Sequence, residues 1–281
     1  MFLKSIIKTK RPFIFTIQTS IPNQNFTLPL WNSYWTGTET KPANYKFKVD
    51  CGDGNSNWIY SWDDANKTHT YASANTYTIK IIGSCYNLDC YWGDIGDGSK
   101  LLIKTIVSWG DIFWKRIGFR GCTNLTTLPS KAGNFSQIGS LGDSFRECGL
   151  TSIPANLFLT AVNCIDINYC FYADTGLTSI PSGLFDRLTK VTNFGGVFHA
   201  CSNITSIPSG LFDNCVATTI FQSVFNSCTS ITSIPAGLFN NCPLVTDFSY
   251  AFYGTHISSI PSGLFDYGTA AITFEGIFNR E

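Results

Sequence analysis

A nine-residue phrase that occurs four times constrains the fold of this chain more than any other feature. The copies read LTSIPSGLF from Leu177, ITSIPSGLF from Ile204, ITSIPAGLF from Ile231 and ISSIPSGLF from Ile257. Their prolines belong to a longer series with nearly constant spacing: Pro129, Pro154, Pro181, Pro208, Pro235 and Pro261. A unit this short cannot bury its own apolar side chains, so successive units must stack. The repetition therefore predicts a solenoid of about six units over residues 109–281.

A second series, of phenylalanines, runs in parallel with the prolines. Its members have almost the same spacing: Phe119, Phe145, Phe171, Phe198, Phe225, Phe252 and Phe278. Within each unit, the ITSIP segment predicts a short strand that is ended by its proline. The SGLF segment that follows predicts one helical or 3₁₀ turn, with serine at the cap position. For the rest of the unit, the spacing from Phe248 to Phe252 fits a helix, and a bent strand with a turn remains an alternative.

The part of the chain before the repeats differs from them in composition and pattern. All seven tryptophans precede residue 115. Alternating apolar residues predict strands within segments 13–19, 45–51, 77–83 and 101–107. We therefore expect a β-sandwich over residues 12–108. Before it we expect a basic arm at residues 1–11 rather than a cleaved secretory leader.

Two motifs in this N-terminal part resemble the polycystic-kidney-disease (PKD) domain, an Ig-like β-sandwich. They are VDCGDGN at Val49–Asn55 and HTYASANTYTIKI at His69–Ile81. The chain departs from the family pattern at Cys51, where an aromatic residue is usual, and near Asn75, where many members have glycine. The resemblance implies that residues 12–108 fold as an Ig/PKD-like β-sandwich.

The repeats resemble those of the BspA-like leucine-rich-repeat surface proteins. The segments CTNLTTLPSKAGNF, from Cys122, and VTDFSYAFYGT, from Val245, carry the resemblance, which covers about residues 110–281. It implies a leucine-rich-repeat solenoid of 26–27-residue units with short strands and short helical turns. Together the two resemblances imply a mainly β chain in which an Ig/PKD-like β-sandwich precedes the solenoid. Solenoids of this type serve many binding tasks, so this resemblance says little about function.

Composition narrows the class of function. The formal net charge is 0, and only 14% of residues are charged, against about a quarter in an average globular chain. A protein that binds nucleic acid through a basic surface is therefore not expected. No apolar run is long enough to span a bilayer. No GxSxG, phosphate-loop or GxGxxG motif is present, so we expect a non-enzymatic protein without a cofactor.

The eleven cysteines predict free thiols rather than a disulfide framework. Several of them follow a phenylalanine of the repeat by three residues and would stack as small buried apolar groups: Cys122, Cys148, Cys201 and Cys228. Free thiols indicate folding in a reducing compartment. Metal binding is not expected, since there is no CxxC pair. Asp53, Asn55, Asn57 and Asp64 loosely imitate a calcium loop, but Trp58 stands where the loop needs glycine, so a structural turn is favoured.

Aromatic residues in two polar segments are the candidate ligand-binding residues. They are Trp31, Tyr34, Trp35, Trp58 and Trp62. Exposed aromatic side chains among polar ones suit the face of a sugar or a protein partner. The alternative is that they cover one end of the sandwich or pack on the solenoid. If both segments lie at one edge of the sandwich, they form a single aromatic patch.

These features predict a structural and adhesion protein of a virion, such as a phage tail, fibre or capsid-attached component. It would present a binding surface to a host glycan or surface protein, and it would belong to a homo-oligomer or a larger assembly. In the N-terminal arm, the candidate assembly contacts are Lys4, Lys8, Lys10 and Arg11. The alternative is a bacterial cell-surface adhesin of the BspA-like group. Neither hypothesis requires nucleic acid or a membrane span.

Overall fold

The computed structural model describes residues 10–35, 39–93 and 96–279, and it is mainly β. Within these ranges there are eleven strands, two short 3₁₀ helices and no α-helix. The strands are β1 Phe13–Gln18, β2 Gln24–Thr27, β3 Ser33–Trp35, β4 Thr40–Pro42, β5 Tyr45–Asp50, β6 Ser56–Ile59, β7 Thr68–Tyr71, β8 Thr76–Cys85, β9 Asn87–Asp89, β10 Ile103–Ser108 and β11 Arg116–Gly118. The 3₁₀ helices are Ala65–Lys67 and Ser99–Leu102. The predicted mainly β class is therefore confirmed.

The largest sheet is antiparallel throughout and has the strand order β10-β1-β8-β5-β6. Four of its strands, β1, β5, β8 and β10, overlap the segments that the sequence predicts as strands. In β1 the side chains of Phe13, Phe15 and Ile17 are buried, while the intervening residues are half-buried or exposed. This alternation of period two places one face of the sheet against the core.

The antiparallel pair of β2 and β7 covers the buried face of this sheet. The Phe26 ring of β2 lies 5.9 Å from the Phe15 ring of β1. On β7, the Tyr71 ring lies 4.1 Å from the Tyr77 ring of β8. The Tyr71 hydroxyl donates to the Cys51 carbonyl at 3.0 Å, so this buried polar group is satisfied. These contacts place the core of the N-terminal part between the five-stranded sheet and the β2–β7 pair.

Beyond β11 the chain returns to the same position at regular intervals, once per repeat unit, and we call each such turn a coil. Parallel β-bridges join one residue of each coil to the next through the series Ser140, Asp166, Asn193, Ile220, Asp247 and Thr273. Around each bridge, four backbone N–H groups of one coil donate to carbonyls of the next. For the first such pair of coils, the N–H groups of Leu141, Asp143, Phe145 and Glu147 donate at 2.8 to 2.9 Å.

The Phe series fills the interior between the coils. The rings of Phe145, Phe171, Phe198, Phe225 and Phe252 stack with neighbouring centroids 5.6 to 5.8 Å apart. Each ring is fully buried. All eleven cysteines lie within the described residues, and each is a buried free thiol, as the sequence predicts. The coils thus bury together what a single unit cannot bury alone.

The predicted helical turns are wrong in detail, because the coils contain β-turns instead. Two residues four positions apart adopt left-handed φ in each of several coils, such as Tyr169 (φ 52°) and Ala173 (φ 57°). Left-handed residues end helical hydrogen bonding, so two successive turns, rather than a helix, give the Phe-x-x-x-Phe spacing. The ITSIP segments form no strand in the described ranges. Successive copies are joined by hydrogen bonds such as Thr205 N–H to the Thr178 carbonyl, at 3.3 Å.

The first coils continue directly from the N-terminal part. Strand β9 pairs in parallel with β11, and Thr105 of β10 forms a parallel bridge with Thr127. The Phe13 ring also lies 5.0 Å from the Trp114 ring. These contacts join residues on the two sides of residue 108. A division into domains at that residue therefore stays a prediction. No helix in the described ranges is long and apolar enough to cross a membrane.

Candidate functional site

A cleft of about 380 Å³ lies where the β3–β4 hairpin faces the first coils. Trp31, Tyr34 and Trp92 contribute its aromatic side. Ser140, Asp143 and Asn168 of two successive coils contribute its polar side, and Asp89 and Arg116 also line it. A concave site that combines aromatic surface with a few placed polar groups is the usual form of a ligand-binding site.

The aromatic side continues beyond the cleft as an arc formed by Trp62, Trp31, Trp92 and Tyr91. The Trp31 ring lies 6.1 Å from the Trp62 ring and 6.2 Å from the Trp92 ring. The Trp92 and Tyr91 rings are 5.0 Å apart. Trp92 is 56% exposed and Trp62 is 37% exposed. The arc therefore presents contiguous aromatic surface to solvent.

A cation lies against each end of the arc. The Lys67 ammonium is 5.5 Å from the centre of the Trp62 ring, and it donates to the Trp62 carbonyl at 3.0 Å. At the other end, the Arg120 guanidinium is 3.9 Å from the centre of the Tyr91 ring. Cation–π contacts at exposed sites contribute about 0.5–1 kcal/mol each. They favour one orientation of the two terminal rings.

Buried polar groups hold the loops that carry the arc. The Tyr45 hydroxyl donates to the Trp31 carbonyl at 2.7 Å and accepts from the Trp31 N–H at 3.2 Å. Burial raises the pKa of Tyr45 above its ordinary value, so this hydroxyl stays neutral and can donate. The Asp89 carboxylate accepts from the backbone N–H groups of Tyr91 and Trp92, at 3.0 and 3.2 Å. Both tryptophans are thus fixed through their own backbone.

The charged groups of the cleft are paired within the protein. Arg116 Nε donates to Asp89 Oδ2 at 2.8 Å, and both side chains are largely removed from solvent. Asp143 Oδ1 lies 3.3 Å from Arg146 Nη1 and 3.7 Å from Arg120 Nη1. Arg146 also binds a second carboxylate, with its Nε 3.1 Å from Glu147 Oε1. The cleft therefore holds charges of both signs without an unpaired one among its described lining residues.

A hydrogen-bonded chain orders the polar side of the cleft. Ser140 Oγ donates to Asp166 Oδ2 at 2.9 Å and accepts from the Gly142 N–H at 3.1 Å. The amide nitrogen of Asn168 donates to the same Asp166 carboxylate, at 3.3 and 3.1 Å from its two oxygens. Burial raises the pKa of Asp166, and the hydrogen bond from Ser140 opposes that rise. Because Asp166 binds both neighbours, Ser140 and Asn168 have fixed positions.

The structure brings together some of the predicted aromatic residues and not others. Trp31 and Tyr34 line the cleft, and Trp62 joins them through Trp31. Trp58 is not among the lining residues. It lies on β6, 47% exposed, with its ring 6.1 Å from that of Tyr60. The backbone of Trp35 belongs to β3, while its side chain lies outside what the structure describes.

Sequence reasoning missed Trp92, Asp143 and Asn168. Trp92 could have been found, because it lies in a turn-rich polar stretch, as the other candidate tryptophans do. Asp143 and Asn168 lie in the coils, far beyond Trp31 in the sequence, and no local pattern connects them to it. Only the stacking of the first coils against the N-terminal part brings them to the cleft.

The N-terminal arm is described only in part. Lys4 and Lys8 lie outside the described residues, and Lys10 is exposed. The Arg11 guanidinium binds Asp111 in the same chain, with Nη2 at 2.6 Å from Oδ1, and this contact lowers the pKa of Asp111. A role of these four residues in assembly stays a prediction.

The acidic turn after β5 is occupied by the protein's own donors. Asp53 Oδ2 lies 2.7 Å from His69 Nε2 of β7, and Asp53 Oδ1 accepts from the Asn55 N–H at 3.0 Å. Partial desolvation acts to raise the pKa of Asp53, but these hydrogen bonds outweigh it and lower the pKa. Among the described residues, no group of three or more His, Cys, Asp or Glu side chains could hold a metal ion. The turn thus ties β5 to β7.

Comparison with protein families and with curated proteins does not identify a relative of this chain. A scan against models of protein families finds no match, and a search of curated proteins finds no significant match either. The assignment of a function therefore rests on the cleft, the arc and the coils.

Proposed function

We propose that this chain is a non-enzymatic structural and adhesion protein of a virion, such as a component of a phage tail or fibre or a capsid-attached protein. It binds a glycan or a protein on the host surface through the cleft. The observation that carries this proposal is the exposed aromatic arc beside the ordered polar side formed by Ser140, Asp143 and Asn168. Aromatic surface with adjacent hydrogen-bonding groups suits ligands that are apolar on one face and polar at their edges.

We also propose the finer architecture. Residues 12–108 form an Ig-like β-sandwich of the PKD type, and residues 109–281 form a BspA-like leucine-rich-repeat solenoid. The antiparallel sheet covered by the β2–β7 pair supports the first assignment. Parallel bridges between residues that lie one repeat unit apart support the second. In this architecture, the cleft lies at the junction of the two parts.

The setting on a virion is supported by the cysteines. Eleven free, buried thiols fit a protein that folds in the reducing cytoplasm of a host cell and is then assembled into a particle. A bacterial cell-surface adhesin of the BspA-like group is the alternative. Detection of the chain in purified particles, in a symmetric homo-oligomer or with other virion proteins, distinguishes the two.

The binding function is tested with the full chain on an array of host glycans and on host cells. We expect binding that Trp92→Ala reduces by about tenfold or more, since truncation of a hot-spot aromatic residue typically costs about 2 kcal/mol or more. Trp58→Ala is the matched control, because Trp58 is about half exposed, like Trp92, but does not line the cleft. Equal binding by wild type and Trp92→Ala would overturn the proposed site.

A further inference from the structure

We infer that the ligand of the cleft is an uncharged sugar unit, such as a neutral hexose or N-acetylhexosamine of a surface glycan, rather than an acidic one. This inference rests on the proposed function and narrows it to one class of ligand. It follows from how the charged groups of the cleft are paired, from the open aromatic side and from the size of the cleft.

The first step concerns the charged groups of the cleft. An acidic sugar needs a cationic group that is free to meet its carboxylate or sulfate. Arg116 is the cation that lines the cleft among the described residues, and its Nε is bound to Asp89 at 2.8 Å. Asp89 is almost completely buried, so transfer of Arg116 to a ligand would leave an unpaired buried charge. Arg116 therefore orders the cleft, and its charge is already offset by that of Asp89.

The second step concerns Asp143, the acidic group at the coil side of the cleft. Its carboxylate lies beside both Arg120 and Arg146, which offset its charge. A carboxylate held in this way still accepts hydrogen bonds at its remaining lone pairs, and sugar hydroxyls are suitable donors. An acidic sugar would place like charge against Asp143. A neutral one would gain charge-assisted hydrogen bonds without that repulsion.

The third step is the aromatic side. Trp92 is exposed and meets Tyr91 edge to face, at an interplanar angle of 78°. Its contact with Trp31 is tilted by 34° rather than parallel. Neither neighbour is stacked flat on Trp92. A pyranose ring presents an apolar face of C–H groups, which fits an aromatic ring in the same way as other apolar groups do.

The size of the cleft sets the extent of the ligand. At about 380 Å³ it is near the lower end of the range of roughly 300–1,000 Å³ for small-molecule sites. The polar residues Asp143 and Asn168 come from successive coils, so they can meet hydroxyls on adjacent positions of one sugar ring. A unit of one or two sugars fits this space, and the rest of a glycan would extend into solvent.

The test measures binding of the full chain to neutral and acidic oligosaccharides by calorimetry, at about 50 mM and about 500 mM sodium chloride. Neutral probes are N-acetylglucosamine and galactose oligosaccharides, and acidic probes are sialyllactose and a sulfated disaccharide. We expect binding of a neutral probe, with an affinity that changes less than about twofold between the two salt concentrations, since no ion pair with the ligand is screened. Trp92→Ala should weaken that binding by about tenfold or more and Trp58→Ala should not.

A second variant tests the role of the paired charges. Asp143→Asn removes the carboxylate that offsets Arg120 and Arg146 and leaves the size of the side chain unchanged. We expect it to bind the neutral probe more weakly and to gain salt-sensitive binding of an acidic probe. Its thermal unfolding, compared with that of the wild type, checks that the fold is retained.

The outcomes separate this inference from the proposed function. Preferred binding of an acidic probe by the wild type, with a loss of about tenfold or more at high salt, overturns the inference and leaves glycan adhesion standing. Absence of binding to every glycan also overturns it, and the proposed function then depends on a protein ligand that Trp92→Ala releases. Absence of any Trp92-dependent binding to glycans or host cells overturns both.

Discussion

The Tyr169 ring lies directly over Gly196 of the next coil, where a Cβ atom would overlap the ring. Gly196 also has a left-handed φ of 59°. The same relationship recurs in a later pair of coils, where Tyr250 lies over Gly276. At the equivalent position of the coil that follows Gly196, Ser223 is accepted with φ 55°. In this column of equivalent positions, each tyrosine is thus followed by glycine in the next coil.

This relationship predicts that Gly196→Ser destabilises the protein by more than the left-handed φ of residue 196 alone would cost. Left-handed φ alone costs a residue with a Cβ about 1–2 kcal/mol, and displacement of the Tyr169 ring adds to it. In a Tyr169→Ala background the added part should vanish, which gives a favourable coupling in a double-mutant cycle measured by chemical denaturation. Equal effects of Gly196→Ser in both backgrounds would show that the ring does not set the requirement for glycine.

A second prediction is that Ala200→Gly stabilises the protein by about 0.5–1 kcal/mol, because relief of left-handed strain exceeds the added chain entropy of glycine. Ala200 has φ 60°, and Gly254 occupies the equivalent position two coils later. Ala155→Gly is the control: Ala155 is exposed in a turn and is not among the residues with positive φ, so it should lose stability slightly. Denaturation midpoints of the two variants should move in opposite directions.

A third prediction concerns the stacked rings. Phe198 is fully buried between Phe171 and Phe225, with centroids 5.6 and 5.8 Å away. Phe198→Ala should lower the free energy of unfolding by about 3–5 kcal/mol, the usual range for loss of a buried aromatic side chain. Phe113→Ala is the control, since Phe113 is 51% exposed and its loss should change stability by less than about 0.5 kcal/mol. A small effect at Phe198 would mean that the coils do not depend on this column.

A fourth prediction concerns Asp174, which stands in a column of buried cysteines between Cys148 and Cys201. It is fully buried, and neither carboxyl oxygen has a hydrogen-bond partner among the described residues. Burial raises the pKa of Asp174 well above its ordinary value. Since the unfolded chain ionises this group at its ordinary pKa and the folded chain resists doing so, stability falls as pH rises above that ordinary value.

Asp174→Cys, which restores the residue of the column, should therefore be more stable than the wild type near pH 7 and should gain less near pH 4. The fall in wild-type stability should approach about 1.4 kcal/mol for each pH unit between the unfolded and folded pKa values. Thermal or chemical unfolding across this pH range measures the difference. If both proteins follow the same pH profile, Asp174 is not a neutral acid in the folded state.

Much of the architecture could be predicted because it depends on local patterns. Alternation in segments such as Phe13–Gln18 identified the main strands, and the Pro and Phe series gave the length of each unit. The conformation inside the unit could not be predicted in the same way. A spacing of four residues between phenylalanines fits both a helical turn and two successive β-turns. Some positions with left-handed φ, such as Ala173, are not glycine, so the sequence does not mark them as turns.

The candidate site was predictable only on its aromatic side. Trp31 and Trp62 stand out locally as large aromatic residues in polar loops, and the structure places their rings 6.1 Å apart. Asp143 gives no such signal, because a single aspartate in a turn is common in any sequence. Its place in the cleft depends on the left-handed turn of its coil and on how that coil stacks, which are properties of the whole fold.

In the segments that directly follow the β-bridges, the hydrogen bonds between coils run in one direction, while bonds elsewhere, such as Thr192 N–H to the Ile165 carbonyl, run the other way. The Asp166 carbonyl accepts from Leu141 of the coil before it, while the N–H of the same peptide unit, that of Ile167, donates to Asn193 of the coil after it. Within these segments, every coil therefore offers acceptors to the coil before it and donors to the coil after it. Duplication or loss of one complete unit would keep these backbone hydrogen bonds at each remaining interface, while side-chain pairs such as Tyr169 over Gly196 would have to be matched again. Selection can thus vary the reach of this protein in steps of one unit.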